Sequence, residues 1–473
     1  MTQAKRVIAV SPMPPEKSAY SLARYSRSPD SIRDSIEWVR THDSAKFLES
    51  FYYNYGHASI ADLGHLTLCF EGISELAAIE IEDEQLWDGQ ARSSRYQDFS
   101  RSGFITPPGA GESYAKAAAE LLKAYQRIHK TMSDYLADRL PRPADMKPEL
   151  YRRNISARAF DIARYTLFLG VPTGVGQVTS IRTLERQIRR LKASEYAEVR
   201  QIGEEMATVC AAPPECVWDE ASAREALAPT LARHVDPDQH VAQSRADLEQ
   251  WARENLPPSS KSDGQDLVYL TRPIDTHADV TAQLLFPVTD RSFHQLYDIV
   301  SGWSTAQRNE VIDLALRSRG DRDELLRAFR GGPYAFDFLI DIGAYRDLHR
   351  HRRCHQFRQA FTGRYGYETP EALAAAGLKN EYESLMDATL AAMNAMEGNA
   401  AHYLAPFGAR SRFLFKMDFA EAEYIARLRS GVKGHFSYRQ IAWQMKEKMQ
   451  QLEPELGRLM QATPPWVDDP LKR

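Results

Sequence analysis

At 473 residues the chain has room for about two or three domains and a sizeable core. Its 43% hydrophobic and 26% charged composition is that of an ordinary globular protein, and a formal charge of −4 argues against a generic nucleic-acid binder, so any polyanion affinity must come from local clusters. The apolar run Val7 to Val10 is too short for a signal-peptide core, and no stretch reaches the ~18 to 20 apolar residues of a membrane span; a cytoplasmic protein without membrane contact is expected. Four cysteines (Cys69, Cys210, Cys216, Cys354) lack CxxC spacing, which predicts buried thiols and neither a disulfide framework nor a cysteine zinc site.

Along the chain, HLTLCF (65–70) alternates Leu66, Leu68 and Phe70 as a half-buried strand does. A helical stretch follows from about Ser74, then the loop RSSRYQ (92–97). Residues 113–140 carry Leu121, Leu122, Tyr125, Ile128, Met132, Tyr135 and Leu136 at three-to-four spacing and predict a long amphipathic helix. Two further helices are expected over 181–191 and 195–210. Periodicity is lost at ENLPPSSKSDGQD (254–266), where Pro-Pro and a Ser/Lys/Asp/Gly run predict a linker.

The second half repeats the first. YAFDFLI (334–340) reads as a strand, a helical stretch is expected over 344–361, and TGRYGY (362–367) stands where RSSRYQ stood. Helix is predicted again over 379–400, where Met386, Met393 and Met396 form a core stripe. Arginine-bearing helical pairs close both halves: 181–191 with YAEVR (196–200), and AEYIARLRS (422–430) with HFSYR (435–439). The expected architecture is α/β (α+β), two tandem modules, each a small sheet with long helices: a first module over 1–245, a linker over 246–268 and a second module over 269–473.

The basic string RHRRCHQFRQAFTGRY (350–365) offers Arg350, Arg352, Arg353, Arg358 and Arg364 as guanidinium forks for phosphate or carboxylate oxygens. The bland alternative is a solvated face, or ion pairs to Asp341, Asp347 and acidic residues of the other half. His351 and His355 have the i, i+4 spacing of a metal pair, but the flanking arginines would repel a cation, so no metal is expected. The aligned stretch of the first half is IEDEQ, with Glu82, Asp83 and Glu84 near the positions of Arg350, His351 and Arg352. Charge is inverted there: either that acidic patch pairs with the basic one, or only the second half kept this part of a site. RSSRY keeps Ser93 and Arg95 as donors for a phosphate nest.

These residues resemble the flavin-dependent thymidylate synthase family, whose signature joins an Arg-His-Arg to a Glu-x-Ser-x-Arg-Tyr loop, with a His-x-Ser/Thr and an acidic residue upstream. Here His57, Ser59 and Asp62 of GHASIAD match the upstream element, and Arg350, His351 and Arg352 match the Arg-His-Arg. Both Ser93-Ser94-Arg95-Tyr96 and Thr362-Gly363-Arg364-Tyr365 resemble the closing loop. Arg182 resembles the family's arginine before a long helix; Arg200, and more weakly Arg439, resemble its late arginine.

The resemblance implies FAD held by His57, Ser59, Asp62, Arg350, His351 and Arg352, and a uracil nucleotide held by Ser93, Arg95, Tyr96, Arg182, Arg200, Thr362, Arg364 and Arg439. It further implies reductive methylation of dUMP with methylenetetrahydrofolate and NADPH, and a homodimer that reproduces the family's tetramer as a pseudo-tetramer. A same-fold flavin or nucleotide enzyme with a different acceptor, or a non-catalytic nucleotide-binding relative, is the alternative. The motif is split: the first half lacks Arg-His-Arg and has Ala91 where glutamate is expected, and the second has Ala360 at the serine spacing. Composite sites, with Arg350 to Arg352 from one module and Ser93 to Tyr96 from another, are therefore expected.

Overall fold

The computed structural model describes residues 13–26, 31–54, 58–95, 97–214, 229–256, 267–271, 275–318, 326–329, 334–452, 457 and 460–471. The first half begins with α1 (Pro15–Tyr25), α2 (Ile32–Arg40) and α3 (Ser44–Leu48). It continues through β1 (His65–Ser74), α4 (Glu75–Glu82), β2 (Asp88–Ala91), α5 (Glu112–Arg139), α6 (Pro148–Ala163), β3 (Pro172–Ser180), α7 (Ile181–Lys192) and α8 (Ala197–Cys210). After α9 (Gln239–Asn255) and β4 (Val268–Thr271), the second half follows the same order. It runs α10 (Thr276–Leu285), α11 (Phe293–Ser301), α12 (Thr305–Leu316), β5 (Tyr334–Asp341), α13 (Ile342–Leu348), β6 (His355–Arg358), α14 (Glu371–Ala375), α15 (Lys379–Ala395), α16 (Ala400–Tyr403), β7 (Arg410–Met417), α17 (Phe419–Arg429) and α18 (Phe436–Leu452). The sheets repeat as well, β1-β3-β2 in the first half and β4-β5-β7-β6 in the second, with β4 an added edge.

The chain forms two compact units. One comprises Met1–Cys69, Leu86–Gln90 and Gly176–Asp238; the other comprises Phe70–Gln85, Ala91–Val175 and Gln239–Arg473. In the first unit Ala19, Ala23, Leu48 and Ile60 bury one small core. Ser180 caps α7 by accepting from the Thr183 amide. Leu184, Ile188 and Leu191 form the buried stripe of that helix.

In the second unit β5 pairs antiparallel with β7 from Tyr334 opposite Met417 to Asp341 opposite Arg410, and every residue of β5 is buried. Both faces are covered, so even its alternating polar residue is inside: Asp337 meets Arg412 at 3.3 Å. Met386 and Met393 of α15 are buried, as core packing requires. Residues 246–255, expected in the linker, are instead the last part of α9, with Leu248 and Ala252 buried; 257–266 lie outside the described residues.

The two halves meet inside this unit along a pseudo-symmetric seam. Leu169 N donates to Ala405 O (3.1 Å) and Phe407 N to Leu167 O (2.7 Å). The first turn of α4 is tied by Glu75 N to Val171 O and Leu76 N to Leu169 O, and the first turn of α13 by Ile342 N to Ala409 O and Gly343 N to Phe407 O. Gly170 and Gly408 occupy matching places under the hydroxyls of Tyr114 and Tyr382; a Cβ would stand 2.3 and 2.5 Å from those oxygens. This bonding registers Glu75 with Ile342, which pairs Glu82 with His349 and Asp83 with Arg350, one residue away from the alignment read from sequence.

The helix expected over 344–361 stops early. α13 ends at Leu348, and His355–Arg358 form β6, paired with β7 from His355 opposite Lys416 to Arg358 opposite Phe413. Arg350 to Arg353 therefore occupy a turn, because ladder pairing with β7 outweighs the helical preference of the arginines. The buried Gln356 amide donates to His351 O (2.7 Å) and His349 O (3.3 Å) and ties the turn to its strand.

Candidate anion site

The inverted charge in the first half has a direct structural outcome in the second unit. α4 lies against α13 and β6, and its carboxylates take up their arginines. Arg346 Nη2 stands 2.7 Å from Glu75 Oε2, Arg327 Nη1 stands 2.9 Å from Asp83 Oδ1, and Arg358 pairs with Glu80. Burial pushes the Glu75 carboxyl up and Arg346 opposes it. Of the basic string, Arg358 meets the acidic half through Glu80, whereas Glu75 and Asp83 are taken by Arg346 and Arg327, which lie outside the string.

The loop after β2 joins the same cluster. Ser94 is buried and its Oγ accepts from Arg346 Nη1 at 3.1 Å. Arg95 is buried too, with Nε and Nη2 on the Asp161 carboxylate (2.6 and 3.1 Å), Nη1 donating to Tyr438 Oη (2.9 Å) and Nη2 to Lys433 O (3.1 Å). Its donors are thus committed within the fold, contrary to the phosphate role expected for it. Arg429 also lies with its guanidinium 5.7 Å from the Tyr438 ring, and donates from Nε to His351 Nε2 at 2.7 Å. That bond fixes the proton of His351 on Nδ1, which faces Glu421 at 3.4 Å.

At the turn Arg350 and Arg353 are exposed and carry no ion pair among the described residues. Burial pushes the Arg429 guanidinium below its ordinary value; Asp347 opposes that, and Arg350 adds to it by repulsion. Arg352 lines a narrow cleft with Glu82, Asp83, His349, Cys354 and Gln356. Guanidinium groups on a turn beside a half-buried neighbour of like charge form a donor set for a diphosphate or phosphate.

The other expected residues fall as follows. His57 and Tyr96 lie outside the described residues. Ser59 is exposed, and Asp62 accepts from Arg182 Nη1 at 3.1 Å, so two expected residues of the first unit are brought together. Arg200 is exposed on α8 and donates to Ser194 O at 2.8 Å. Ser93 Oγ accepts from the Arg95 amide. Thr362 is exposed, and Arg364 pairs with Asp290. Arg439, expected at the substrate, is buried and ties the end of α17 to the C-terminal segment, donating to Ser430 O (2.9 Å) and Val467 O (2.5 Å). Sequence reasoning missed Arg346 and Arg429. Arg346 stands four residues before Arg350, and Arg429 lies in the arginine-bearing string 422–430, which were the available signals.

The fold and site define a tandemly duplicated mixed helix-and-sheet protein with a cationic turn set between its halves. The model of the thymidylate synthase complementing protein family matches residues 7–213 and 302–455, more than half of the chain and one stretch in each half, and the chain belongs to that family. It is similar to the UPF0159 protein of Chlamydia muridarum, 25% identical over 87% of this chain and 79% of that one, and to the UPF0159 protein of Thermoplasma acidophilum, 24% identical over 93% of each. A flavin dependent thymidylate synthase from Helicobacter pylori, complexed with FAD and dUMP, aligns at 11% identity over 41% of this chain and 89% of that chain, with a TM-score of 0.25. Among the described residues no helix is long and apolar enough to cross a membrane, and no three His, Cys, Asp or Glu side chains group to hold a metal ion.

Proposed function

We propose that this chain is a flavin-dependent thymidylate synthase-like enzyme that methylates dUMP to dTMP, with methylenetetrahydrofolate as carbon donor and NADPH as reductant. The observation that carries the reading is the positive charge of the exposed Arg350 and Arg353 at this turn, in a chain of this family. Arg350 and Arg352 are assigned to the FAD pyrophosphate, with Arg429 behind them as a second source of positive potential. His351, neutral and held between Arg429 and Glu421, orients the turn. By the family resemblance His57, Ser59 and Asp62 are assigned to flavin binding, and Arg182 and Arg200 to the nucleotide. The flavin, when bound, supplies hydride transfer; the chain supplies orientation and a cationic field that stabilises negative charge on the pyrimidine. We further propose a cytoplasmic homodimer of pseudo-tetrameric symmetry.

A second reading is favoured by one specific observation. Arg95, Arg346 and Arg358 are neutralised inside the fold, which suits a family member that binds a flavin or nucleotide without the methylation step. One experiment separates them. Purified protein is reconstituted with FAD, the flavin is reduced, and its reoxidation is followed with methylenetetrahydrofolate and dUMP. Reoxidation that depends on dUMP and yields dTMP supports the first reading. FAD uptake without it supports the second, and no uptake of FAD removes both.

A further inference from the structure

Glu75, Glu80 and Asp83 of the α4 segment each have an arginine. Glu82, half-buried at the end of the same helix, has no hydrogen bond or ion pair from its carboxyl among the described residues. Its position disfavours a negative charge twice over. It sits at the helix C-terminus, where the macrodipole is negative, and Glu75 lies seven residues back on the same face. What holds it ionised is the field of Arg346 from α13 and of Arg350 and Arg352 from the turn. These last two are the guanidiniums assigned above to the flavin's pyrophosphate.

We propose that Glu82 is the proton-accepting partner of this anion site: an anion docking on Arg350 and Arg352 withdraws their field from Glu82, and the carboxyl takes up a proton as the anion binds. This rests on the reading of the turn as the FAD anchor. The remaining groups around the cleft do not supply that proton site. Asp83 is paired with Arg327, Cys354 is a buried thiol pushed well up, and burial pushes His349 down, its Nδ1 already bonded to Gln356 Oε1 at 2.8 Å. Glu84 is a further carboxylate lining the cleft. Burial has already brought Glu82 to about 7, so a modest further rise moves its charge within the physiological range.

The test is calorimetric titration of the full chain with FAD at pH 7.5, in two buffers of different ionisation enthalpy, because the FAD pyrophosphate itself does not titrate there. A one-unit upward shift of Glu82 gives an uptake of about 0.5 proton per FAD, and an affinity that improves about sixfold between pH 8.5 and 6.5. Glu82→Gln is expected to bind FAD with no uptake and a flat pH profile over that range. FAD binding by the parent chain with no proton uptake, or equal uptake in Glu82→Gln, overturns the inference and leaves the flavin reading standing. Absence of FAD binding overturns both.

Discussion

Arg346 Nη2 stands 2.7 Å from Glu75 Oε2, and the two residues come from opposite halves of a duplicated chain. Glu75 is fully buried and Arg346 nearly so, and Arg346 also stacks 4.7 Å over the Phe407 ring at the seam. The pair therefore couples the modules through charge in a place where water cannot replace either partner. Arg346→Ala is expected to destabilise the chain by about 3 kcal/mol or more, since it strands a buried carboxylate. Adding Glu75→Leu should recover much of that loss. Urea unfolding of the singles and the double measures the coupling, and additive effects would show that the pair does not join the halves.

Gly170 and Gly408 are expected to be intolerant of alanine. Each Cβ would fall within 2.5 Å of a tyrosine hydroxyl that is itself bonded, Tyr114 to Ile105 O at 2.6 Å and Tyr382 to Glu368 O at 2.7 Å. The clash and the displaced hydroxyl together should cost about 2 to 4 kcal/mol at either site. Combining Gly170→Ala with Tyr114→Phe should relieve part of the cost, which thermal unfolding would register.

Arg350 and Arg95 should separate binding from folding. Arg350→Ala removes an exposed cation and is expected to change stability by less than about 0.5 kcal/mol while weakening FAD at least about tenfold, read by flavin fluorescence. Arg95→Ala leaves Asp161 buried without its guanidinium and is expected to lower stability by about 3 kcal/mol before any ligand is added. If Arg350→Ala binds FAD like the parent, the turn is not its anchor.

The Arg182 and Asp62 pair is about one-third exposed on both sides, so its own contribution to stability is about 1 kcal/mol or less. Arg182→Ala should therefore fold normally, and any loss of dUMP affinity in it reports contact with the nucleotide. Unchanged dUMP affinity would remove Arg182 from the site.

Asp341 gives a pH dependence of defined sign. Burial raises its carboxyl to about 6, against the hydrogen bond from Ser437, the charge of Arg164 and the Ala344 amide. With a folded-state value above the ordinary 3.8, its stabilising contribution is complete below about 3.8 and is lost as the pH rises through about 6. Asp341→Asn keeps the cap of α13 and removes this titration. Relative to the parent it should gain roughly 2 kcal/mol between pH 4.5 and 7, measured by denaturant unfolding at the two values. A constant difference would mean that Asp341 does not titrate there.

The duplication was written in the chain. Alternation in HLTLCF, the three-to-four spacing of 113–140 and the recurrence of an Arg-Tyr loop in each half are local patterns, and local patterns are what residue order records directly. The Arg-His-Arg string and its likeness to the family came from the same source. Charge inversion between IEDEQ and RHRRC was equally legible, but it left two outcomes open, because a sequence does not say whether opposite charges touch.

Tertiary structure decided which carboxylates meet which arginines. It placed Glu75, Glu80 and Asp83 against arginines more than 240 positions away, and it gave Arg95 to Asp161 instead of to a ligand. It ended α13 at Leu348 because the chain from His355 found a ladder on β7, a partner that lies more than fifty residues further on. Which arginines carry free charge is a sum over neighbours from both halves. Residue order alone fixed which charges the chain carries, and the packing of α4 against α13 decided which of them remain uncompensated.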